Sequence, residues 1–101
     1  MSDKIIVFAS FTPKAGAEAT VEGILQAMVA PSRNEPGCER YDLFRIKEGD
    51  ASFHLFEIYE NAAALDHHRS TEHYKNYRAV IADNLSEDIA VKILSGIDVA
   101  N

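Results

Sequence analysis

Three segments of this chain have the composition of β-strands that are apolar on both faces, and this feature restricts the fold most. In the first segment Ile5 and Val7 lie on one face, while Ile6 and Phe8 lie on the other. The same doubling occurs within residues 52–60 and 88–99. Because a sheet with one wet face alternates apolar and polar residues along each strand, both faces of this sheet need a cover.

Turn residues and hydrophobic periodicity give the order of the elements. They predict strands at residues 4–12, 39–47, 52–60 and 88–99, and helices at 17–33, 61–69 and 71–85. Pro31 lies late in the first helix and predicts a kink or an early end there. The order βαββαβ, with the second helical region interrupted near residue 70, predicts a ferredoxin-like α+β fold. Such a fold has a four-stranded antiparallel sheet with helices on one face.

The second face of the sheet requires a cover that two helices cannot supply. A few exposed apolar residues are normal on any surface, but here three strands share the pattern. A second copy of the chain is the simplest cover, so we expect a dimeric α+β barrel, and higher assembly of dimers stays open. His54 lies on the opposite strand face from Glu57 and is expected to meet the partner chain.

Composition and charge exclude several classes of protein. The 101 residues predict one domain, residues 1–101, with 47% hydrophobic and 26% charged residues. A net charge of −6 argues against a nucleic-acid backbone as partner. No apolar run approaches the ~20 residues that span a bilayer, and no basic amphipathic helix favours a membrane surface. The single thiol of Cys38, together with the lack of a signal peptide, predicts a cytoplasmic protein.

Two stretches of the sequence resemble the antibiotic biosynthesis monooxygenase family. The first is APSRNEPGC at 30–38, followed by YDL at 41–43. The second is FHLFEIYEN at 53–61, followed by ALD at 64–66 and HRSTEH at 68–73. The resemblance implies a dimeric α+β barrel with one pocket per subunit, between the sheet and the helices.

The resemblance also implies several chemistries. The family includes cofactor-independent monooxygenases of quinol-like aromatics, haem-degrading enzymes and an isomerase of a phosphorylated signalling molecule. Many members have Trp after the strand glutamate, whereas this chain has Tyr59 and no Trp. That difference argues against the tryptophan-dependent monooxygenase and haem chemistries. In this respect the chain is somewhat more similar to the isomerase branch.

Glu57 and His68 are the first candidates for acid–base chemistry. Glu57 shares one face of an apolar strand with Tyr59, and burial raises the pKa of a carboxylic acid toward that of a general base. A carboxylate held for structural reasons is an equal alternative. His68 lies one turn after Leu65, on the inward side of its helix, and an imidazole suits proton transfer near neutral pH. This role is favoured over the alternative of a buried histidine that holds the helix break together. We expect His68 to face the pocket within reach of Glu57, directly or through water.

Other side chains are candidates to complete or line the site. His73 starts the next helical segment and is equally a catalytic or a structural candidate. Tyr59, Tyr74 and Tyr77 are candidates to bind an aromatic substrate, although a tyrosine stripe at helical spacing is more often core. Asn61 is both a helix cap and a candidate substrate contact.

The sequence predicts neither a metal nor an organic cofactor. The histidines lack the HExxH spacing and a neighbouring cysteine ligand, and no G-x-G-x-x-G motif is present. Arg40 and Arg45 could hold an anionic substrate, but pairing with acids is the favoured interpretation. Cys38 has no evident base beside it, so an inert thiol is expected.

The expected function is a cofactor-independent monooxygenase of a small quinol-like or polyketide-like aromatic. In it Glu57 or His68 deprotonates a phenol, and the electron-rich anion reacts with oxygen. Two alternatives stay open: an isomerase that moves a proton within a small phosphorylated signalling molecule, and a non-catalytic dimer that binds a small ligand.

Overall fold

The protein is described by a computed structural model over residues 3–100. Its sheet and helices follow the order βαββααβ, and a short 3₁₀ helix, Ala82–Asn84, follows the last α-helix. The elements are β1 (Ile5–Phe11), α1 (Glu18–Arg33), β2 (Cys38–Arg45), β3 (Phe53–Tyr59), α2 (Ala62–Ser70), α3 (Glu72–Ile81) and β4 (Ala90–Leu94).

The sheet has the strand order β2-β3-β1-β4, with every neighbouring pair antiparallel. The two central strands, β1 and β3, pair along their full length, with Val7 opposite Glu57. On its other side β1 pairs with β4, with Val7 opposite Ile93. The ferredoxin-like α+β fold predicted from the sequence is confirmed.

The core lies between the sheet and α1, α2 and α3. Alternate residues of β1 and β3 point toward the helices and are buried, as the period of two along a strand requires. On β1 the inward residues end in Phe11, which is wholly buried and packs edge-on against Tyr77 of α3. The facing stripe of α1 consists of Val21, Leu25, Met28, Val29 and Ser32.

Two details differ from the sequence prediction. Helix α1 continues through Pro31 to Arg33, the predicted last residue, so of the two expected effects of Pro31 the early end is wrong. Proline lacks one backbone donor, and near the end of a helix this removes a single hydrogen bond. Strand β4 is only five residues long, not the whole of 88–99. Its pairing with β1 runs from Ser10 opposite Ala90 to Ile6 opposite Leu94, and Ile6 is one residue from the start of β1, so little of β1 remains to pair with the chain beyond Leu94.

The sheet face away from the helices is uncovered and carries several large apolar side chains among polar ones such as Arg40, Asp42 and Lys92. We call it the open face. Phe44 is 52% exposed there, and Phe8 stacks on His54 with 5.7 Å between ring centroids. The register places six apolar residues on this face: Ile6, Phe8, Phe44, Phe56, Ile58 and Leu94. Within the described residues, no helix has the length and apolar character needed to cross a membrane.

Candidate active site

A pocket of about 330 Å³ lies between the sheet and the pair α2–α3. A cavity of this size suits a small ligand. Most of its wall is apolar or aromatic, and the ionisable groups come from β3, α2 and α3. Its lining residues are Val7, Ala9, Glu57, Leu65, His68, Arg69, Tyr74, Tyr77, Arg78 and Val91.

The break between α2 and α3 positions the helical side of the pocket. Asn61 caps α2, because its side chain accepts a hydrogen bond from the Ala64 backbone N–H at 2.9 Å. Thr71 joins the two helices: its hydroxyl donates to the His68 carbonyl at 2.7 Å and accepts from the Tyr74 N–H at 3.2 Å. This hydroxyl therefore fixes the end of α2, which carries His68, against the start of α3, which carries Tyr74.

Glu57 is a buried carboxyl group in the pocket wall. It is 5% exposed, and the Tyr59 hydroxyl donates to its Oε1 at 2.5 Å. Burial raises the pKa of Glu57 to about 7, against the opposing effects of the Tyr59 hydrogen bond and the positive charge of Arg69. A carboxyl group with this pKa exchanges protons at neutral pH.

His68 lies beside Glu57, with 4.0 Å between its Nε2 and Glu57 Oε1. The imidazole is 2% exposed, and burial lowers its pKa below the usual value even though Glu35 favours the charged form. The ring is therefore neutral at pH 7 and able to accept a proton. This is the position expected from its one-turn spacing to Leu65.

Glu35 contacts the side of the His68 ring that faces away from the pocket. It was not predicted from the sequence as a site residue. His68 Nδ1 lies 3.0 and 2.9 Å from the two carboxylate oxygens of Glu35, and His73 Nε2 lies 2.5 Å from Oε2. A carboxylate only accepts hydrogen bonds, so both imidazole nitrogens facing it carry protons. The proton on Nδ1 leaves Nε2 of neutral His68 as an acceptor toward Glu57 and the pocket.

Glu35, His68 and His73 are also the group whose ligand atoms could hold a metal ion, since those atoms lie within 4.8 Å of one another. Their present arrangement is that of a hydrogen-bonded triad. The Oε2 atom of Glu35 accepts from both imidazoles, and a cation would have to replace both of these protons.

The remaining predicted site residues divide into two groups. Tyr74 and Tyr77 line the pocket and pack edge-on against each other at 5.5 Å. Tyr59, Asn61 and His73 are not among the lining residues of the described chain. Tyr59 is wholly buried behind Glu57, the Asn61 side chain caps α2, and His73 contacts Glu35. Direct substrate contact by these three residues therefore receives no support.

Two arginines that were not predicted from the sequence as site residues reach the pocket. Arg69 and Arg78 line it, whereas Arg40 and Arg45 lie elsewhere. Arg40 pairs with Asp42 at 2.8 Å and Arg45 with Glu22 at 2.5 Å. The favoured interpretation of Arg40 and Arg45, charged strand positions paired with acids, agrees with these contacts.

Cys38 lies outside the pocket lining. Burial raises the pKa of its thiol to about 11, and the nearby Glu35 and Glu57 carboxylates act in the same direction. The thiol is therefore protonated at neutral pH and is a poor nucleophile.

Replacing Glu35 by glutamine tests the triad. The variant keeps one acceptor oxygen but presents an amide donor to one of the two imidazole N–H groups. We expect the free energy of unfolding to fall by about 1–3 kcal/mol, the usual cost of an unsatisfied buried polar group. Urea unfolding at neutral pH measures this, with Glu48→Gln in an exposed turn as the control. A Glu35→Gln protein as stable as the wild type would mean that the triad does not contribute to folding.

Comparison with known proteins gives consistent matches. Residues 4–80 match the family model described as antibiotic biosynthesis monooxygenase. A Mycobacterium tuberculosis protein named "Putative monooxygenase Rv0793" is 39% identical over 101 residues, covering 100% of this chain and 99% of the relative. The solved structure of Rv0793 matches with a TM-score of 0.92 over 97% of this chain and 99% of its own. That of PA3566 from Pseudomonas aeruginosa is 31% identical, with a TM-score of 0.89 over 97% and 98%.

Proposed function

The chain belongs to the antibiotic biosynthesis monooxygenase family, and on that basis we propose that it is a cofactor-independent monooxygenase of a small quinol-like aromatic. One observation carries the proposal. Glu57 and His68 lie 4.0 Å apart in a largely apolar pocket, and both are buried, with Glu57 at a pKa of about 7. A neutral imidazole that can accept a proton, beside a carboxyl group that titrates near pH 7 and close to aromatic side chains, suits the deprotonation of a phenol.

The proposed reaction needs no reductant other than the substrate. A hydroquinone and O₂ give a hydroxyquinone and water, so one oxygen atom enters the ring and the other leaves as water. The hydroquinone supplies all four electrons that O₂ accepts. Removal of a phenolic proton produces the electron-rich anion that begins the transfer, and this proton transfer is the step that the protein accelerates.

We assign His68 as the base. Its Nδ1–H is donated to Glu35 at 2.9 Å, so Nε2 presents a lone pair toward the pocket. After proton transfer the imidazolium lies between two carboxyl groups, Glu35 on one side and Glu57 at 4.0 Å on the other. A charge-assisted hydrogen bond to Glu35 stabilises the charged ring, as in other histidine–carboxylate pairs. We assign Glu57 as the group that accepts the second phenolic proton.

The isomerase alternative requires a different arrangement of the acidic and basic groups. It requires an acid and a base on opposite sides of an enol. The separation of 4.0 Å between His68 and Glu57 leaves no room for a substrate between them. We therefore rank it second, and a non-catalytic ligand-binding protein third.

Oxygen uptake with a panel of hydroquinones tests the proposal. Protein treated with a chelator and freed of small molecules is mixed with each compound in air-saturated buffer. For at least one compound we expect oxygen uptake above the buffer rate. One molecule of O₂ should be consumed for each molecule of hydroxyquinone formed. Exchange of solvent deuterium into keto compounds without oxygen uptake would favour the isomerase. Thermal stabilisation by a compound without turnover would favour the binding protein.

We also propose that a second copy of the chain covers the open face. Its six large apolar side chains span all four strands, and exposed apolar residues gathered on one face often mark an interface. A sheet face packed on its symmetry mate brings the same residues of both copies together. His54 lies at this face, with its ring nitrogens held by Ser10 at 2.9 Å and Ser52 at 3.0 Å.

Replacing Phe44 by glutamate tests the dimer. Phe44 is 52% exposed in the single chain, so the change costs little folding stability but places a charge in the proposed interface. We expect a dimer at micromolar concentration for the wild type, and an increase of about tenfold or more in the dissociation constant for the variant. Val80→Glu is the control, because Val80 is 50% exposed but lies on α3. A wild-type monomer in sedimentation equilibrium would contradict the proposal.

A further inference from the structure

We infer that the pocket selects a ring compound bearing a carboxylate or phosphate group, which Arg69 and Arg78 bind. The inference rests on the proposed function, because it concerns the same pocket and names the class of substrate. It adds a specificity-determining pair of residues to the acid–base pair. It follows from which of the chain's arginines have a carboxylate partner.

The chain has five arginines and an excess of acidic residues, 16 against 10 basic ones. Three arginines have a carboxylate partner: Arg33 and Arg40 pair with Asp42 at 3.2 and 2.8 Å, and Arg45 pairs with Glu22 at 2.5 Å. Because acidic residues outnumber basic ones, most arginines of this chain are expected to have a carboxylate partner.

The other two arginines differ, and both line the pocket. Neither Arg69 nor Arg78 forms an ion pair with a carboxylate within residues 3–100. Arg78 donates one N–H to the Tyr74 hydroxyl at 2.9 Å, and its guanidinium lies 5.8 Å from the centre of that ring. These contacts hold Arg78 against the pocket wall and leave most of its five N–H donors available.

The balance of charge within the pocket favours an anion. Its lining contains two guanidinium groups and one carboxyl group. Glu57 is only partly ionised near neutral pH, because burial raises its pKa to about 7, and buried His68 is neutral. The residues that line the pocket therefore carry a net positive charge in a protein whose net charge is −6, although the Glu35 carboxylate lies behind His68. This favours binding of a negatively charged ligand.

The other walls define the rest of the ligand. Tyr74 and Tyr77 offer aromatic surfaces, and Val7, Leu65 and Val91 offer aliphatic ones. A planar ring fits this lining. Guanidinium groups bind carboxylates and phosphates through paired N–H donors, so either group on the ring satisfies the same chemistry.

Calorimetric titration under nitrogen, which prevents turnover, tests the inference with three probes. They are 2,5-dihydroxybenzoate, its uncharged amide 2,5-dihydroxybenzamide, and 4-hydroxyphenyl phosphate. The amide is matched to the acid in ring and size, so their difference isolates the charge. We expect one or both anions to bind the wild type about tenfold or more tightly than the amide, and this preference to weaken as salt is added. The stronger anion identifies the group.

Matched variants locate the effect. In the double variant Arg69→Gln, Arg78→Gln, the preference for the anion over the amide is expected to disappear while the amide binds as before. Arg45→Gln removes the same charge outside the pocket and should keep the preference. A preference that survives the double variant, or is lost equally in Arg45→Gln, overturns the inference.

The remaining outcomes are also decisive. Equal binding of the acids and the amide by the wild type overturns the anion inference while leaving the oxygenation proposal intact. Lack of saturable binding by every probe at millimolar concentration overturns it as well. Failure of the oxygenation proposal has a different signature, namely selective binding of 2,5-dihydroxybenzoate that is not accompanied by oxygen uptake in air. The 4-hydroxyphenyl phosphate probe reports binding only, because one of its two phenolic oxygens is esterified.

Discussion

Replacing His68 by asparagine is expected to lower the turnover number for the best hydroquinone by about 10²–10⁴-fold, the usual contribution of a positioned base. The asparagine amide retains a donor near the position of Nδ1, so the contact with Glu35 can be kept. The lone pair of Nε2, which faces Glu57 at 4.0 Å, is lost. The fold should therefore persist while the proton transfer fails.

The result is interpreted with two further measurements. His67→Asn is the matched control, because His67 is the exposed neighbour on the same helix, and its turnover should equal that of the wild type. The melting temperature of His68→Asn separates chemistry from folding. A folded His68→Asn protein with wild-type turnover would show that Nε2 is not the base. Equal losses of stability and activity would assign His68 a structural role.

Replacing Glu57 by glutamine is expected to stabilise the protein at alkaline pH and to reduce its activity. The folded state holds the pKa of Glu57 at about 7, whereas the ordinary value is 4.5. Between these values the folded state binds more protons than the unfolded state, so the Glu57 contribution makes stability fall as pH rises through this window. Glutamine keeps an oxygen to accept from Tyr59 but carries no charge to bury.

The expected difference depends on pH in a defined way. At about pH 8 Glu57→Gln should exceed the wild type by about 3 kcal/mol in the free energy of unfolding, and below pH 4.5 the difference should disappear. The lowered pKa of His68 also affects stability below neutral pH, but it is present in both proteins and largely cancels in the difference. Urea unfolding over this range measures the effect, with exposed Glu87→Gln as the control. Parallel pH profiles for the wild type and Glu57→Gln would contradict it.

Much of the fold could be predicted because its strands lie between clear turns. Gly37 and Gly49 both adopt positive φ, at 92° and 100°, where glycine is favoured, and they lie in the turns that bound β2. The end of β4 was missed because the apolar pattern continues beyond it. Ile97 and Val99 extend the alternation yet are fully or largely exposed. Strand length is limited by the partner strand, which a local pattern does not contain.

The site was predicted only in part, for a related reason. Glu57 and His68 lie on regular elements, so their inward direction follows from the periods of a strand and a helix. Glu35 lies between α1 and β2, where no period applies, and its contacts with His68 and His73 join residues more than thirty positions apart. Arg69 and Arg78 reach the pocket because of the bend between α2 and α3, which single-helix patterns do not describe.

The central claim is that the Glu57–His68 pair makes a small aromatic react with oxygen without a cofactor. Mass spectrometry of the product formed under ¹⁸O₂ by chelator-treated protein tests it most directly. We predict one labelled oxygen atom in each hydroxyquinone molecule, formed at a rate that falls in His68→Asn by the factor given above. Product without label, or labelling at the same rate with wild type, His68→Asn and buffer, would contradict the claim.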